Sequence, residues 1–203
     1  SKFQEPSPGP DASPKKPTPV SSSDPGTPVL SDDFSKLNLD QWKVEGGTWS
    51  VKNGRVLQSN GASVLHRLIS KTKHPRNFRA KLRLRITGGE TYHSVGLGFD
   101  VNGKAMNGVY LEESVPKVQF TRQGADGRWV YPAAGRGTTP LKIGKDYVLE
   151  VAVQDQLLNV LIDGELKVAY KLPARRAGQV AVWTFSATAE LDQLDVTELP
   201  PGT

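Results

Sequence analysis

The chain is 203 residues long, carries a net charge of +5 and contains no cysteine. That length fits one large domain, or one domain and a tail. Without cysteine there are no disulfides, thiolate metal sites or cysteine nucleophiles, and without a run of about 18 apolar residues there is no membrane-spanning helix.

Residues 1–29 hold eight of the fifteen prolines, many Ser and Thr, and a single aromatic, Phe3. Such a segment cannot bury enough apolar surface to offset the entropy of ordering it. It is predicted as a flexible linker, partly polyproline II. Its Lys2, Lys15 and Lys16 balance Glu5, Asp11 and Asp24, so the excess positive charge belongs to the part that follows. That part, residues 30–200, is predicted as one domain, with residues 201–203 as a tail.

After Asp32-Asp33-Phe34 and Trp42-Lys43-Val44, residues 46–57 read as two short strands joined at Asn53-Gly54. Asn-Gly tolerates positive φ at both central positions, as a type I′ hairpin turn requires. Further on, Ala80, Leu82, Leu84 and Ile86 alternate with Arg79, Lys81, Arg83 and Arg85. Val95, Leu97 and Phe99 alternate with Ser94, Gly96, Gly98 and Asp100; Val109 and Leu111 alternate with Tyr110 and Glu112. Leu149, Val151 and Val153 alternate with Val148, Glu150 and Ala152. Each run is a strand with one face in a core. Turn signals separate them at Gly88-Gly89, Asn102-Gly103, Asp126-Gly127, Asp163-Gly164 and Pro173, and Asp163-Gly164 joins a strong hairpin. No segment holds a helical apolar stripe for three turns. Roughly a dozen closely spaced strands predict an all-β, two-sheet antiparallel sandwich. An immunoglobulin domain runs to about 100 residues, so a jelly roll fits the length better.

The Asp32-Asp33-Phe34 opening, the Trp42-x-Val44 strand, the Gly47-x-Trp49-x-Val51-x-Asn53-Gly54 hairpin, the Gly178-Gln179-Val180-Ala181-Val182-Trp183 strand and a closing strand bearing Asp192 and Asp195 together resemble secreted jelly-roll modules of the concanavalin A-like type. Carbohydrate-binding modules, laminin-G-like domains and the domain family linked to 3-keto-disaccharide hydrolysis share that type. The resemblance implies a jelly roll and a glycan ligand. It also implies that the closing strand pairs near the first, which would bring Asp32, Asp33 and Asp195 together.

Sugars are held by flat aromatic rings on their C–H faces and by planar polar groups on their hydroxyls. Positions out of phase with the core supply both: Tyr92, Tyr110, Glu112, Gln119, Arg122, Trp129 and Trp183 are the candidate ligand-binding residues, with Tyr131 as a further ring. Gly96 and Gly98 leave room for close approach. The competing reading is the ordinary polar face of a sandwich. Trp42 and Trp49, beside tight turns in apolar strands, are predicted in the core. Asp32, Asp33 and Asp195 are candidate ligands of a structural Ca²⁺, which takes hard oxygen donors; otherwise they cap turns or face water. The row Arg79, Lys81, Arg83, Arg85 projects from one sheet face and is a candidate polyanion site. Pairing with acids such as Glu150 or Glu165 on neighbouring strands is the favoured alternative. Glu190, Asp192 and Asp195 are spaced much like the acids of one glycoside hydrolase family, though the third is a residue shorter and they lie on the last strand. No triad, phosphate-loop or paired-histidine metal signature appears.

The leading expectation is a non-catalytic carbohydrate-binding module of a secreted multidomain protein, extracellular or periplasmic, tethered through its linker. The alternatives are a glycoside hydrolase or 3-keto-disaccharide hydrolase-like enzyme, and an adhesion or protein-interaction domain using the basic face. Expected partners are neutral or acidic glycans. Nucleic acid is disfavoured, because no nucleic-acid fold motif occurs.

Overall fold

The computed structural model describes residues 26–202. The predicted linker therefore falls largely outside the described residues. Sixteen strands form two antiparallel sheets of eight. The first sheet has the order β14 (Glu165–Lys171), β13 (Leu157–Ile162), β12 (Asp146–Gln154), β6 (Phe78–Gly88), β16 (Thr188–Glu198), β4 (Arg55–Gln58), β3 (Trp49–Lys52), and β1 (Thr27–Asp32) also pairs with β16. The second runs β10 (Trp129–Val130), β9 (Lys117–Gln123), β8 (Ala105–Glu112), β7 (Ser94–Asn102), β15 (Gln179–Phe185), β5 (Leu65–Lys73), β2 (Trp42–Glu45), with β11 (Arg136–Thr138) also on β9. The count exceeds the expected dozen because several strands are only two to four residues long, too short to show an alternation. The domain also starts earlier than expected: Thr27 and Pro28 pair with Glu198 and Thr197.

Between the sheets lies one core. Phe78, Ala80, Leu82, Leu84 and Ile86 of β6 face Val95, Leu97 and Phe99 of β7, Val109 and Leu111 of β8, and Val182 of β15 across it. These are the in-phase residues of the period-two runs, because alternate side chains of a strand point to opposite faces. Trp42 is buried in this core, while Trp49 is half-buried against it and donates Nε1–H to the Gly46 carbonyl at 2.7 Å. The hairpins form as expected: Asn53 and Gly54 have φ of 52° and 71°, and Asp163 and Gly164 have 49° and 81°, a positive pair in each case.

One end of the sandwich is closed by a buried polar cluster. Asp100, at a φ of 51°, receives Arg175 Nη2–H and Nε–H at 2.8 and 2.9 Å. Its own N–H donates to His74 Nε2 at 2.8 Å, and His74 Nδ1 lies 2.7 Å from the Pro75 carbonyl. Those partners fix the neutral Nδ1–H tautomer. Burial pushes the His74 pKa below its usual value, against the pull of Pro75 and Asp100.

Candidate functional site

The floor of the site follows from register. β8, β7 and β15 lie side by side, so the outward Gly96 sits between Tyr110 and Trp183, and Gly98 between Gly108 and Ala181. A Cβ on Gly96 would collide with the Val109 carbonyl and Tyr110; one on Gly98 would sit 2.5 Å from Met106 Sδ. One on Gly108 would meet Trp183 Cζ2 at 3.4 Å, so the Trp183 ring lies over that glycine. Small residues thus let large rings recline on the sheet. The ring centroids of Tyr110 and Trp183 are 5.4 Å apart, and those of Trp129 and Trp183 are 6.2 Å apart. Tyr131 stacks on Trp129 at 6.4 Å and meets Tyr110 edge-on. Tyr92 packs on Phe185 at 6.1 Å. With Ile69, Val101, Met106 and Ala181, Tyr110 and Trp183 make a second apolar cluster on the sheet's outer face, separate from the core. β7 and β8 are consequently buried on both faces along nearly their whole length.

Above this floor opens a cleft of about 580 Å³, within the usual range for a small-ligand site. Tyr92, Tyr110, Trp129, Tyr131, Trp183 and Phe185 supply its rings; Ser94, Glu112, Lys117, Thr121 and Arg136 supply its polar groups. Glu112 pairs with Lys117 at 3.1 Å. Thr121 donates its hydroxyl to the Val130 carbonyl at 2.9 Å, which pins β10 and Trp129 over the floor. Burial first, and then the Glu112 carboxylate, push the phenols of Tyr110 and Tyr131 above the ordinary tyrosine value. Both are neutral O–H groups near pH 7, able to donate or accept. Trp183 Nε1 is buried and has no acceptor among the described residues.

Of the residues anticipated from sequence, Tyr92, Tyr110, Glu112, Trp129 and Trp183 meet at this cleft. Two do not line it. Gln119 is fully buried beneath the rim, donating to the carbonyls of Phe120 (2.7 Å) and Pro132 (2.9 Å) and accepting Arg136 Nε–H at 2.8 Å. Arg122 shares parity with Val118 and Phe120, so it leaves the strand on the other face and borders a separate small crevice with Asp100, Asn107 and Arg176. Lys117 and Arg136 were not anticipated. Lys117 follows from hairpin pairing with Glu112, but Arg136 reaches the cleft only through the pairing of β11 with Gln119.

The proposed cation ligands do not meet. Antiparallel pairing sets Asp195 opposite Ser31, whose hydroxyl it accepts at 2.7 Å, so the neighbouring Asp32 points to the opposite face. There Asp32 accepts Phe34 N–H at 2.8 Å and Trp42 Nε1–H at 2.6 Å. Exposed Asp33 accepts Ser35 N–H at 2.9 Å. No cluster of three or more His, Cys, Asp or Glu poised for a metal occurs among the described residues. The basic row lies on the outer face of the other sheet, amid acids. Arg79 meets Glu150 at 2.9 Å; Arg83 meets Asp192 at 3.2 Å and Asp146 at 3.5 Å; Arg85 meets Asp146 at 2.9 Å and Glu190 at 3.5 Å. Lys81 sits in register between Glu150 and Asp195. Glu165 pairs instead with Lys167. Glu190 and Asp192 are thus ion-pair partners on the sheet opposite the cleft, with Asp192 at a bulge between Leu191 and Gln193.

No protein-family model matches the chain, and no curated protein sequence does. Solved structures do resemble it. The carbohydrate-binding module CBM66 from Bacillus subtilis superposes with a TM-score of 0.69 at 18% identity, over 78% of this chain and 96% of that one. A β-glucanase from Bacillus licheniformis gives 0.65 at 11%, over 87% and 100%. A protein of unknown function with a galectin-like fold, also from Bacillus subtilis, gives 0.69 at 9%, over 87% and 98%. The domain has the concanavalin A-like jelly-roll sandwich fold.

Proposed function

We propose that this domain is a non-catalytic carbohydrate-binding module whose cleft on the second sheet receives the glycan. The carrying observation is the aromatic cluster on the outer face of that sheet, where the buried Tyr110 and Trp183 support the half-buried Trp129 and the exposed Tyr131 in a cleft of sugar size. Rings of this kind stack on the C–H faces of a sugar while polar groups at the rim bond its hydroxyls. A fold neighbour described as a carbohydrate-binding module supports the reading. Others are described as a β-glucanase and a glycosidic hydrolase. Canonical glycoside hydrolysis uses two carboxyl groups flanking one bond. Among the described residues the cleft wall carries one carboxylate, Glu112, and Lys117 holds it. That is why binding is favoured over turnover. The basic row of the other sheet, engaged with its acids, offers less to an acidic partner. Secretion, and tethering through residues 1–29, belong to the same proposal.

Titration calorimetry against a panel of oligosaccharides tests it. Trp129→Ala, which removes a half-buried ring from the cleft rather than the core, is expected to weaken binding about tenfold and, because the ring packs on Trp183 and Tyr131, to lower the melting temperature by a few degrees without unfolding the domain. Release of reducing ends from any bound glycan would replace the module with an enzyme. Absence of binding across neutral, uronic-acid and sulfated glycans would end the glycan reading.

A further inference from the structure

The cleft's charges are unequal, and one of them has no counter-ion. Its wall holds three charged groups: Glu112, Lys117 and Arg136. Glu112 and Lys117 cancel one another at 3.1 Å, with side chains only 9% and 19% exposed. Arg136 is left over. Its Nε–H donates to the neutral Gln119 Oε1 at 2.8 Å, and no carboxylate pairs with its guanidinium among the described residues. Elsewhere Arg55, Arg67, Arg83, Arg85 and Arg175 each have a carboxylate partner.

Arg136 is also held in place. Gln119 is wholly buried, and its amide nitrogen is committed to the carbonyls of Phe120 and Pro132, so its oxygen must face the guanidinium. Holding Nε in this way orients the plane of the fork, while Nη1 and Nη2 retain their hydrogens for a ligand. The same charge acts on the floor, where it opposes the upward push on the Tyr110 phenol. Arg136 is exposed at the cleft rim, and a planar fork beside an aromatic platform suits a planar anion attached to a saccharide ring.

The geometry points to a carboxylate-bearing glycan, that is, one containing a uronic acid or a comparable acidic sugar, with Arg136 as the carboxylate anchor and Gln119 as its positioning residue. This rests on the glycan-binding reading and narrows it to an acidic class. The sugar ring lies against Trp129 and Tyr131, the accessible rings of the cleft, and its carboxylate takes the two terminal nitrogens of Arg136.

Calorimetry with uronic-acid oligosaccharides, and with the same oligosaccharides after their carboxyl groups are reduced to alcohols, tests the inference. The wild-type protein is expected to bind an acidic form about tenfold or more tightly than its reduced counterpart, in line with loss of a charge-assisted hydrogen-bonded pair. Arg136→Gln should abolish that preference while leaving residual binding of both forms, and loss of the donor to the buried Gln119 Oε1 should lower the melting temperature by only a few degrees. Arg136→Lys, which keeps the charge but not the fork, should restore only part of it. Equal binding of acidic and reduced forms by the wild type overturns the acidic assignment but keeps the glycan site. So does an acid preference that survives Arg136→Gln. Equal binding of a sulfated but uronate-free oligosaccharide overturns the carboxylate in favour of anions in general. Failure to bind any of these, or any neutral glycan, overturns both readings.

Discussion

The outer faces of the two sheets differ although their strands follow the same alternation. On the first sheet the outward positions of β6, β12 and β16 are long and charged, and they satisfy one another: Arg55, Arg83 and Arg85 surround Asp146, Glu190 and Asp192. On the second sheet the outward positions of β7, β8 and β15 are glycines and rings, with few polar groups among them. A face that closes its own charges has little left to offer a ligand. A face with missing side chains and reclining rings keeps both space and unspent donors. The contrast teaches that density of charge is a poor guide to a binding surface, whereas unmatched charge beside apolar area is a better one.

Gly96→Ala is expected to break the contrast most severely. Its Cβ would meet backbone rather than a yielding side-chain tip, so overpacking should cost about 3 kcal/mol in a denaturant titration and abolish cleft binding. A variant as stable as the parent would mean that β7 and β8 tolerate separation and that the glycine is not what shapes the floor.

Asp146→Asn tests the other face. Hydrogen bonds from Arg55 and Arg85, opposed by burial, hold the Asp146 pKa well below its ordinary 3.8. A lowered carboxylate pKa contributes stability that is full above 3.8 and is lost as pH falls below that value through the folded-state pKa. The variant should therefore be less stable than the parent by about 1 kcal/mol at pH 7, and the gap should close progressively in acid. Glycan affinity should not change. A gap that persists undiminished at pH 2 would show that the loss is one of packing rather than charge.

Arg83→Ala is the mildest change, because that side chain is 49% exposed. Stability should move by no more than about 0.5 kcal/mol. Binding to a sulfated polysaccharide, measured at low salt, should also stay constant. A tenfold drop there would return the basic row to the list of binding surfaces.

The strands and hairpins were readable in the sequence because alternation and turn chemistry are local. Asn53-Gly54 and Asp163-Gly164 announce their turns without reference to anything distant. Tyr110, Glu112 and Trp183 were readable as surface candidates for the same reason, since each stands out of phase with core neighbours. What parity along one strand cannot give is the register between strands far apart in sequence. Arg136 joins the cleft through β11 pairing onto β9, and the three-residue β11 carries no periodic signal of its own. Asp32 and Asp195 were expected to converge because their strands pair, and they do pair. A shift of one residue puts their side chains on opposite faces. Arg122 stands one position beyond Thr121, so alternation sends its side chain to the face opposite the cleft.

The arrangement of the floor gives the protein its own optical reporter. Two of its four tryptophans, Trp129 and Trp183, lie with ring centroids 6.2 Å apart in the cleft, whereas Trp42 is sealed in the core and Trp49 leans on it. Occupancy of the cleft changes the surroundings of the first pair alone. Intrinsic fluorescence on titration should therefore respond to a ligand seated on these rings and stay silent to one held on the other sheet, so the emission spectrum distinguishes the two faces without any label.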